Sequence, residues 1–464
     1  VALAFGFYDN GMNFFKPRTL SQFSKDGVVG VEFPILSYLT ALTAKLFSRN
    51  SIPLVFRVLN LLVVAVCLQG LFGILLRFCR NALLAAIVPL LFLLSPSFLS
   101  YACNFLPDAV ATSIAVLGIG FYMQSWWQGQ HARRYAALLL LVLATLIKTS
   151  VGIYLIGFVC IDVYLLGKER GALPINRLKY VAAVLISFVS IAGYILYSRH
   201  LSQAYDSTLF LLNVNPFNAG QVKRFLTVSL PIWAPEYFVP AAYFFLILLF
   251  VLGYRNRVQS VAGGNQLVLL VTVLILGILS MSYLVGAQFI DHDYYILPIY
   301  FPLIMFLAML AVIKIDSSKN AKPLSSVLGG LLALVLILSF VRTRDRLSDR
   351  YRGFSDYYNT EWMKDGAGIL EQYKIPKAEL IAVFNENPPN LSLIYFDRKG
   401  YAVNNGWWVE RYESAAHFMG TRNLKVGVIK KAEFERINQS DSTFYQHFEV
   451  IGAEQSMVLF RPKK

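Results

Sequence analysis

The sequence predicts a polytopic α-helical membrane protein that carries a small C-terminal α/β domain. Three observations carry this. Of 464 residues, 56% are hydrophobic and only 15% charged, with a mean hydropathy of +0.55, whereas a soluble domain is about one quarter charged. Apolar runs of bilayer-crossing length recur between residues 52 and 341. Beyond Val341 the composition changes: the last 123 residues hold 19 Lys and Arg against 16 Asp and Glu.

In chain order, Val1 to Pro34 is polar and aromatic and reads as a loop with one short helix. Val1–Phe7 is too short to span, and the chain opens without Met. The expectation is an N-terminal fragment whose first helix lies upstream, with a cleaved signal peptide as the alternative. Ile35–Phe47 suits an interfacial helix ending at Lys45 and Arg49. Ten spans are expected, at 52–76, 82–100, 107–126, 135–147, 150–166, 180–197, 237–253, 266–286, 295–313 and 325–341. The short pair at 135–147 and 150–166, parted by Lys148-Thr149-Ser150, reads as tilted or broken helices around a cavity.

The loops divide by charge. One set carries Arg77, Arg80, Arg133, Arg134, Lys168, Arg170, Arg177, Lys179, Arg255, Arg257, Lys314, Lys319 and Lys322 against two acids, Glu169 and Asp316. By the positive-inside rule this set is cytoplasmic. The net charge of +15 is then largely a topology signal, not a nucleic-acid surface. Cys67, Cys79, Cys103 and Cys160 sit in or beside apolar segments without metal spacing, and read as packing residues.

The opposite, outer face collects the chemistry. It holds Glu32 before Phe33-Pro34, Asp108 after Pro107 at the mouth of an uncharged run, Lys148 between two short spans, and Asp291-His292-Asp293-Tyr294-Tyr295. Each has an ordinary explanation: a solvated loop acid, a helix-start residue, a snorkelling lysine, an aromatic belt. Together they make a group able to deprotonate a hydroxyl and hold an anionic leaving group. Ionisable groups at membrane depth are costly and are functional candidates by default.

Five stretches follow in order: Phe7-Tyr-Asp-Asn-Gly-Met-Asn-Phe-Phe-Lys-Pro-Arg18, Val31-Glu-Phe-Pro-Ile-Leu-Ser-Tyr38, Asn104-Phe-Leu-Pro-Asp108, Leu146-Ile-Lys-Thr-Ser150 and His292-Asp-Tyr-Tyr-Ile-Leu-Pro298. In this ordered set the sequence resembles the integral-membrane glycosyltransferases of the GT-C superfold. It is nearest to bacterial relatives of protein O-mannosyltransferases and lipid A aminoarabinose transferases, the glycosyltransferase family 39 type. The resemblance covers about residues 1–341. It implies transfer of a sugar from a polyprenyl-phosphate donor to a lipid, protein or glycan acceptor at the outer face of the inner (plasma) membrane. It implies Asp108, Glu32 and Asp9 as candidate catalytic acids, and Lys148, His292, Tyr294, Tyr295, Arg57 and Arg18 as substrate-binding residues. The departing phosphate needs positive charge, from Lys148, from an arginine such as Arg57 or Arg18, or from a divalent metal. One departure stands out. Family members carry an acid just after a first transmembrane helix, and Asp9 falls downstream of that position, so the principal catalytic Asp is expected upstream of Val1. A lipid-linked-sugar flippase and a non-catalytic membrane scaffold are the competing readings.

The expected domains are a membrane module at 1–341, whose first 51 residues are outer loop and interfacial helix, and an extracytoplasmic domain at 342–464. In the latter, strands are expected at Leu380–Phe384, Leu391–Phe396, Lys425–Ile429 and Met457–Phe460, with helices at Glu361–Gln372 and Ala432–Arg436.

Overall fold

The computed structural model describes residues 1–168, 175–207, 214–255, 264–352, 360–386, 388–403 and 412–463. Glu169, Arg170 and Arg257 of the expected cytoplasmic loops lie outside them. The chain forms two compact units: Val1–Ile52 with Tyr197–Leu211 and Ser348–Lys464, and Pro53–Leu196 with Leu212–Leu347.

The second unit is helical. Among the described residues seven helices are long and apolar enough to cross a bilayer, or nine if each of two bent pairs is one span. Leu185, Ile186, Val189 and Leu196 along one of them are largely exposed, as side chains that face lipid would be. Expected span 82–100 is one bent pair: Ala82–Leu94 and Pro96–Ala102 meet at 79°. The break has a local cause. Ser95 is extended and its Oγ accepts from the Phe98 N–H at 3.1 Å, restarting the helix with Pro96 in its first turn. Expected span 237–253 is the second half of the other pair, Ala219–Tyr237 with Pro240–Arg255 at 74°. The remaining expected segment, 135–147, lies in the 17-residue helix His131–Ile147.

Asp108–Gln128 is the buried centre of this unit. It is the least hydropathic of the seven long helices and the most buried, at 83% of its best window. Small residues explain both. Cβ atoms at Gly118 and Gly120 would come within about 3 Å of Leu141 and Ile74, so neighbouring helices approach closely there. Thr112 and Ser113 return their hydroxyls to the Asp108 and Ala109 carbonyls at 2.7 and 2.8 Å. A second device braces Ile296–Asp316. The buried Tyr154 hydroxyl accepts from the Leu303 N–H at 3.1 Å and donates to the Ile299 carbonyl at 2.6 Å. It therefore stands in for the helix rung beside Pro302.

A buried carboxylate ties further helices together. Asp162 Oδ1 accepts from Arg134 Nη2 and from the Tyr122 hydroxyl, both at 2.5 Å, and Oδ2 accepts from the Tyr180 hydroxyl at 2.8 Å. Three donors on its two oxygens, one of them a cation, supply what a charge needs to persist among packed helices.

In the first unit, five strands, β1 (Ile381–Phe384), β2 (Gly400–Val403), β3 (Val426–Lys430), β4 (Phe448–Ala453) and β5 (Met457–Pro462), form one sheet of order β2-β1-β3-β5-β4. β1 runs parallel to β2 and β3; β5 runs antiparallel to β3 and β4. β1 alternates its sides, Ala382 and Phe384 in one apolar cluster and Ile381 and Val383 in the other, so helices cover both faces. The expected strands near 380, 425 and 457 are present. Leu391–Phe396 is a correction: Leu391–Tyr395 is helical. Leu393 and Phe396, three residues apart, are the fully buried pair, a helical period that a six-residue apolar run does not disclose. β2 and β4 escaped the sequence because β2 is four residues opened by a glycine and β4 alternates weakly.

The N-terminal loop bridges to the outer edge of β2 at Gly400. The Gly400 N–H donates to the Leu20 carbonyl at 3.1 Å, and the Gln22 N–H donates to the Gly400 carbonyl at 2.8 Å. The Ser21 N–H donates to Asn390 Oδ1 at 3.0 Å. A Cβ at position 400 would sit 2.0 Å from the Ile381 carbonyl oxygen, so only glycine fits there beside β1.

Two predictions follow from these packings. Asp162→Ala leaves Arg134 charged without its partner and should destabilise the second unit by about 3–5 kcal/mol, read by thermal unfolding in detergent. Glu386, at the end of β1, is 7% exposed, and burial pushes its carboxyl from 4.5 up to about 7. The folded chain therefore keeps a proton that the unfolded chain has released between those values. Stability from this group is full below the lower value and is lost as pH rises through the upper one. Glu386→Gln should raise the stability of the first unit at pH 8 by about 1–3 kcal/mol and leave it unchanged at pH 4, measured by hydrogen exchange of the β1 amides.

Candidate active site

The second unit brings Asp108 and Lys148 together. Pro107 fixes the entry to the Asp108–Gln128 helix, and Asp108 is its first residue. Lys148 sits in the break between His131–Ile147 and the turn Thr149–Val151, in extended conformation. The break lets its side chain leave the helix direction. Lys148 Nζ lies 3.3 Å from Asp108 Oδ1, with side-chain exposures of 11% and 0%. A charge so buried is tolerable only because its partner is there.

Lys148 is also covered by aromatics. Its Nζ lies 5.0 Å from the Tyr295 ring centroid and 5.7 Å from that of Tyr294, within cation–π range. Tyr294 and Tyr295 stack at 5.0 Å, and His292 stacks on Tyr294 at 5.3 Å. The short turn Asp293–Tyr295 before Ile296–Asp316 sets these rings side by side. Arg57 lies over the Phe105 ring at 4.8 Å, and Asn60 Nδ2 donates to the Asn104 carbonyl at 2.7 Å. Both contacts pin the loop that leads into Asp108. Thus Asp108, Lys148, His292, Tyr294 and Tyr295 form one group, and Arg57 is held on Phe105, three residues before Asp108 in the chain.

Three expected residues belong to the first unit. Asp9 ends the helix Ala2–Asp9 and is held by Arg49 through both oxygens, Nε to Oδ1 at 2.8 Å and Nη2 to Oδ2 at 2.9 Å. Arg49 reaches on to Asp397 Oδ1 at 2.7 Å, so Asp9 has a bracing role inside its own unit. Arg18 is half-buried and bridges to Val28, and Glu32 is half-buried just before the helix Ile35–Ala44.

A supporting layer escaped the sequence. Asp293 Oδ1 accepts from the Tyr101 hydroxyl at 2.5 Å, and Arg346 bonds Asp293 Oδ2. Arg346 Nη1 also donates to Glu236 Oε2 at 3.0 Å, and Arg342 bonds the other oxygen of Glu236. This buried chain fixes Asp293, and with it the flanking His292 and Tyr294. The signal available was helical spacing: Arg342 and Arg346 lie four apart on Ala321–Arg352, but their charge read as the start of a soluble domain. Among the described residues no three His, Cys, Asp or Glu side chains come together to hold a metal ion. Asp108 is paired with Lys148 and Asp293 with Arg346, so this group does not fit a divalent cation and no step below runs through one.

Solved structures share this architecture from end to end. ArnT from Cupriavidus metallidurans in the apo state matches with a TM-score of 0.59 over 99% of this chain and 91% of that chain, at 13% identity. The chain has the GT-C fold. ArnT bound to undecaprenyl phosphate matches at a TM-score of 0.54, with 13% identity, over 99% of this chain and 92% of that one. The Archaeoglobus fulgidus oligosaccharyltransferase in complex with Zn and sulfate, of the same GT-C fold, matches at 0.50 with 12% identity, over 99% of this chain and 68% of that one. No family model matches the sequence, and no curated protein does.

The pairing in this GT-C bundle is testable by a double-mutant cycle. Asp108→Asn and Lys148→Met should each destabilise by about 3–5 kcal/mol, because each leaves a buried charge alone. The double variant should lose less than the sum of the two, with a coupling of about 1–3 kcal/mol in thermal unfolding.

Proposed function

We propose that this chain is an integral-membrane glycosyltransferase that moves a sugar from a polyprenyl-phosphate donor to an acceptor hydroxyl at the outer face of the membrane. The observation that carries the reading is the buried Asp108–Lys148 pair under the His292-Tyr294-Tyr295 shelf, in a fold shared with an enzyme crystallised with undecaprenyl phosphate. The outer-face placement rests on the loop charges.

The donor's phosphodiester carries one negative charge, and the leaving polyprenyl phosphate carries a second. Lys148, desolvated and fixed by its aromatic cover, stabilises that developing charge. Arg57 is the nearby second cation. While Lys148 is bonded to Asp108 the carboxylate is a weak base. A phosphate that takes over Lys148 leaves Asp108 to accept the proton of the acceptor hydroxyl. The hydroxyl oxygen bonds to sugar C1, the C1–O bond to phosphate breaks, and the electron pair leaves with the phosphate. A single displacement inverts C1. The Tyr294 and Tyr295 rings line the place where the sugar ring sits beside Lys148. In this reading 342–464 is the extracytoplasmic domain and the sugar and acceptor are of hexose or pentose and hydroxyl class.

In proteoliposomes with a labelled polyprenyl-phosphate sugar, Asp108→Asn should lower transfer by about 100-fold or more. Lys148→Met should lower it by about 10–100-fold through loss of charge stabilisation in the transition state. Transfer unchanged in both variants sinks the assignment, and lipid movement without a new glycosidic bond points to a flippase instead.

A further inference from the structure

A second site lies in the first unit, where the N-terminal loop joins the sheet. A cleft of about 360 Å³ opens there between residues 22–26, Asp206, Tyr401 and Arg422, inside the roughly 300–1,000 Å³ range of small-molecule sites. We propose that this cleft binds a neutral pyranose ring. On the transferase reading, on which this last step rests, that ring belongs to a glycan acceptor.

The lining is built and held. The Gln22 N–H is bonded to β2, the Lys25 N–H donates to the Tyr205 carbonyl at 2.9 Å, and the Thr19 N–H donates to the Gly27 carbonyl at 2.8 Å. The turn is tight enough to put Asp26 at a φ of 56°, a left-handed value that costs a non-glycine residue energy. Gly27 follows at a φ of 69°, and a Cβ there would meet the Thr19 carbonyl oxygen at 2.5 Å. Such a frame loses little entropy when a ligand enters.

The groups it presents suit a sugar. Phe23 and Tyr401 meet edge to face at 5.1 Å, and their rings offer apolar surface for the C–H face of a pyranose. Arg422 is fixed over Phe418 at 4.1 Å and over Tyr401 at 5.3 Å, so its remaining donors are oriented. Lys25 bonds Asp206 at 2.6 Å. With Asp26 and Arg422 the cleft carries two cations and two anions and no net formal charge. An anionic ligand therefore gains no electrostatic advantage there, while hydroxyls meet both donors and acceptors. Ser24 adds a second pointer. It is 3% exposed, lines the cleft, and its hydroxyl has no hydrogen-bond partner among the described residues. A hydroxyl so placed carries a desolvation penalty until something bonds it. A peptide strand is a poorer occupant, because residues 20–22 already bond Gly400, where such a strand would start along β2.

The test uses the full chain in phospholipid nanodiscs, since maltoside detergents would compete. The methyl β-pyranosides of glucose and of N-acetylglucosamine and inorganic phosphate are the probes, read by saturation-transfer and phosphorus NMR. Saturation should reach the pyranose ring protons in the unsubstituted protein. It should fall about fivefold or more in both Gln22→Ala and Tyr401→Ala, the loss expected for about 1 kcal/mol of contact, with thermal unfolding confirming that each variant is folded. No saturation of either sugar, saturation unchanged in the folded variants, or binding of phosphate in preference to the sugars overturns the proposal. Cleavage of a labelled polyprenyl-phosphate sugar is followed in the same nanodiscs. Sugar binding without donor cleavage overturns the transferase reading and leaves the cleft, and donor cleavage without sugar binding does the reverse.

Discussion

Charge inside a bundle of apolar helices has to be neutralised on the spot, and that constraint organises the second unit. It holds three buried sets: Asp108 with Lys148, Asp162 with Arg134 and two tyrosines, and Asp293 with Arg346, Glu236 and Tyr101. The first two tie consecutive helices together, and the third joins elements far apart in sequence. They differ in contact distance. Asp162 is bonded by three donors at 2.5–2.8 Å and is a brace. Asp108 meets Lys148 at the longer 3.3 Å, with polarisable rings on the lysine's other side. An ion pair of that kind can be opened by a competing anion, whereas a fully bonded carboxylate resists it.

The Asp293 set links architecture to the proposed chemistry. Tyr294 and Tyr295 cover Lys148 only while the 291–295 turn keeps its shape, and Asp293 in that turn is held from Arg346 and Tyr101. Two arginines one helical turn apart share Glu236, so the support is itself tied to the helix Leu230–Tyr237. A site that develops negative charge gains from this rigidity, because its dipoles and cations need not reorganise during reaction.

Much of this was legible in the sequence. Asp108 and Lys148 could be found because each interrupts an apolar run, and an ionisable residue there has few ordinary explanations. The loop charges put both on one face without reference to either. The aromatic trio stood out as a cluster. What stayed hidden depended on geometry that local pattern does not carry. The helix through Arg342 and Arg346 runs to Arg352, past the point where composition turns polar, so a change of composition was not a change of element. The bend at Ser95 was written in Ser95-Pro96, yet hydropathy averaged over it. The strand at Leu391–Phe396 failed because short apolar runs have no decisive period. The bonds of Asp9 to Arg49, and of Arg49 onward to Asp397, were likewise beyond local pattern, since they join positions 40 and 348 residues apart.

The bridge formed by residues 20–22 has a consequence in time. It pairs with Gly400 and Asn390 across nearly the whole chain, the contact between Ser21 and Asn390 spanning 369 positions. Such a contact is late to form, because the intervening chain must be ordered before the ends can meet. Until then the edge of β2 is unpaired, and an unpaired edge is a template for other strands. Pairing of residues 20–22 with Gly400 therefore acts as a closing step: it covers the start of an edge that would otherwise invite association between incomplete molecules.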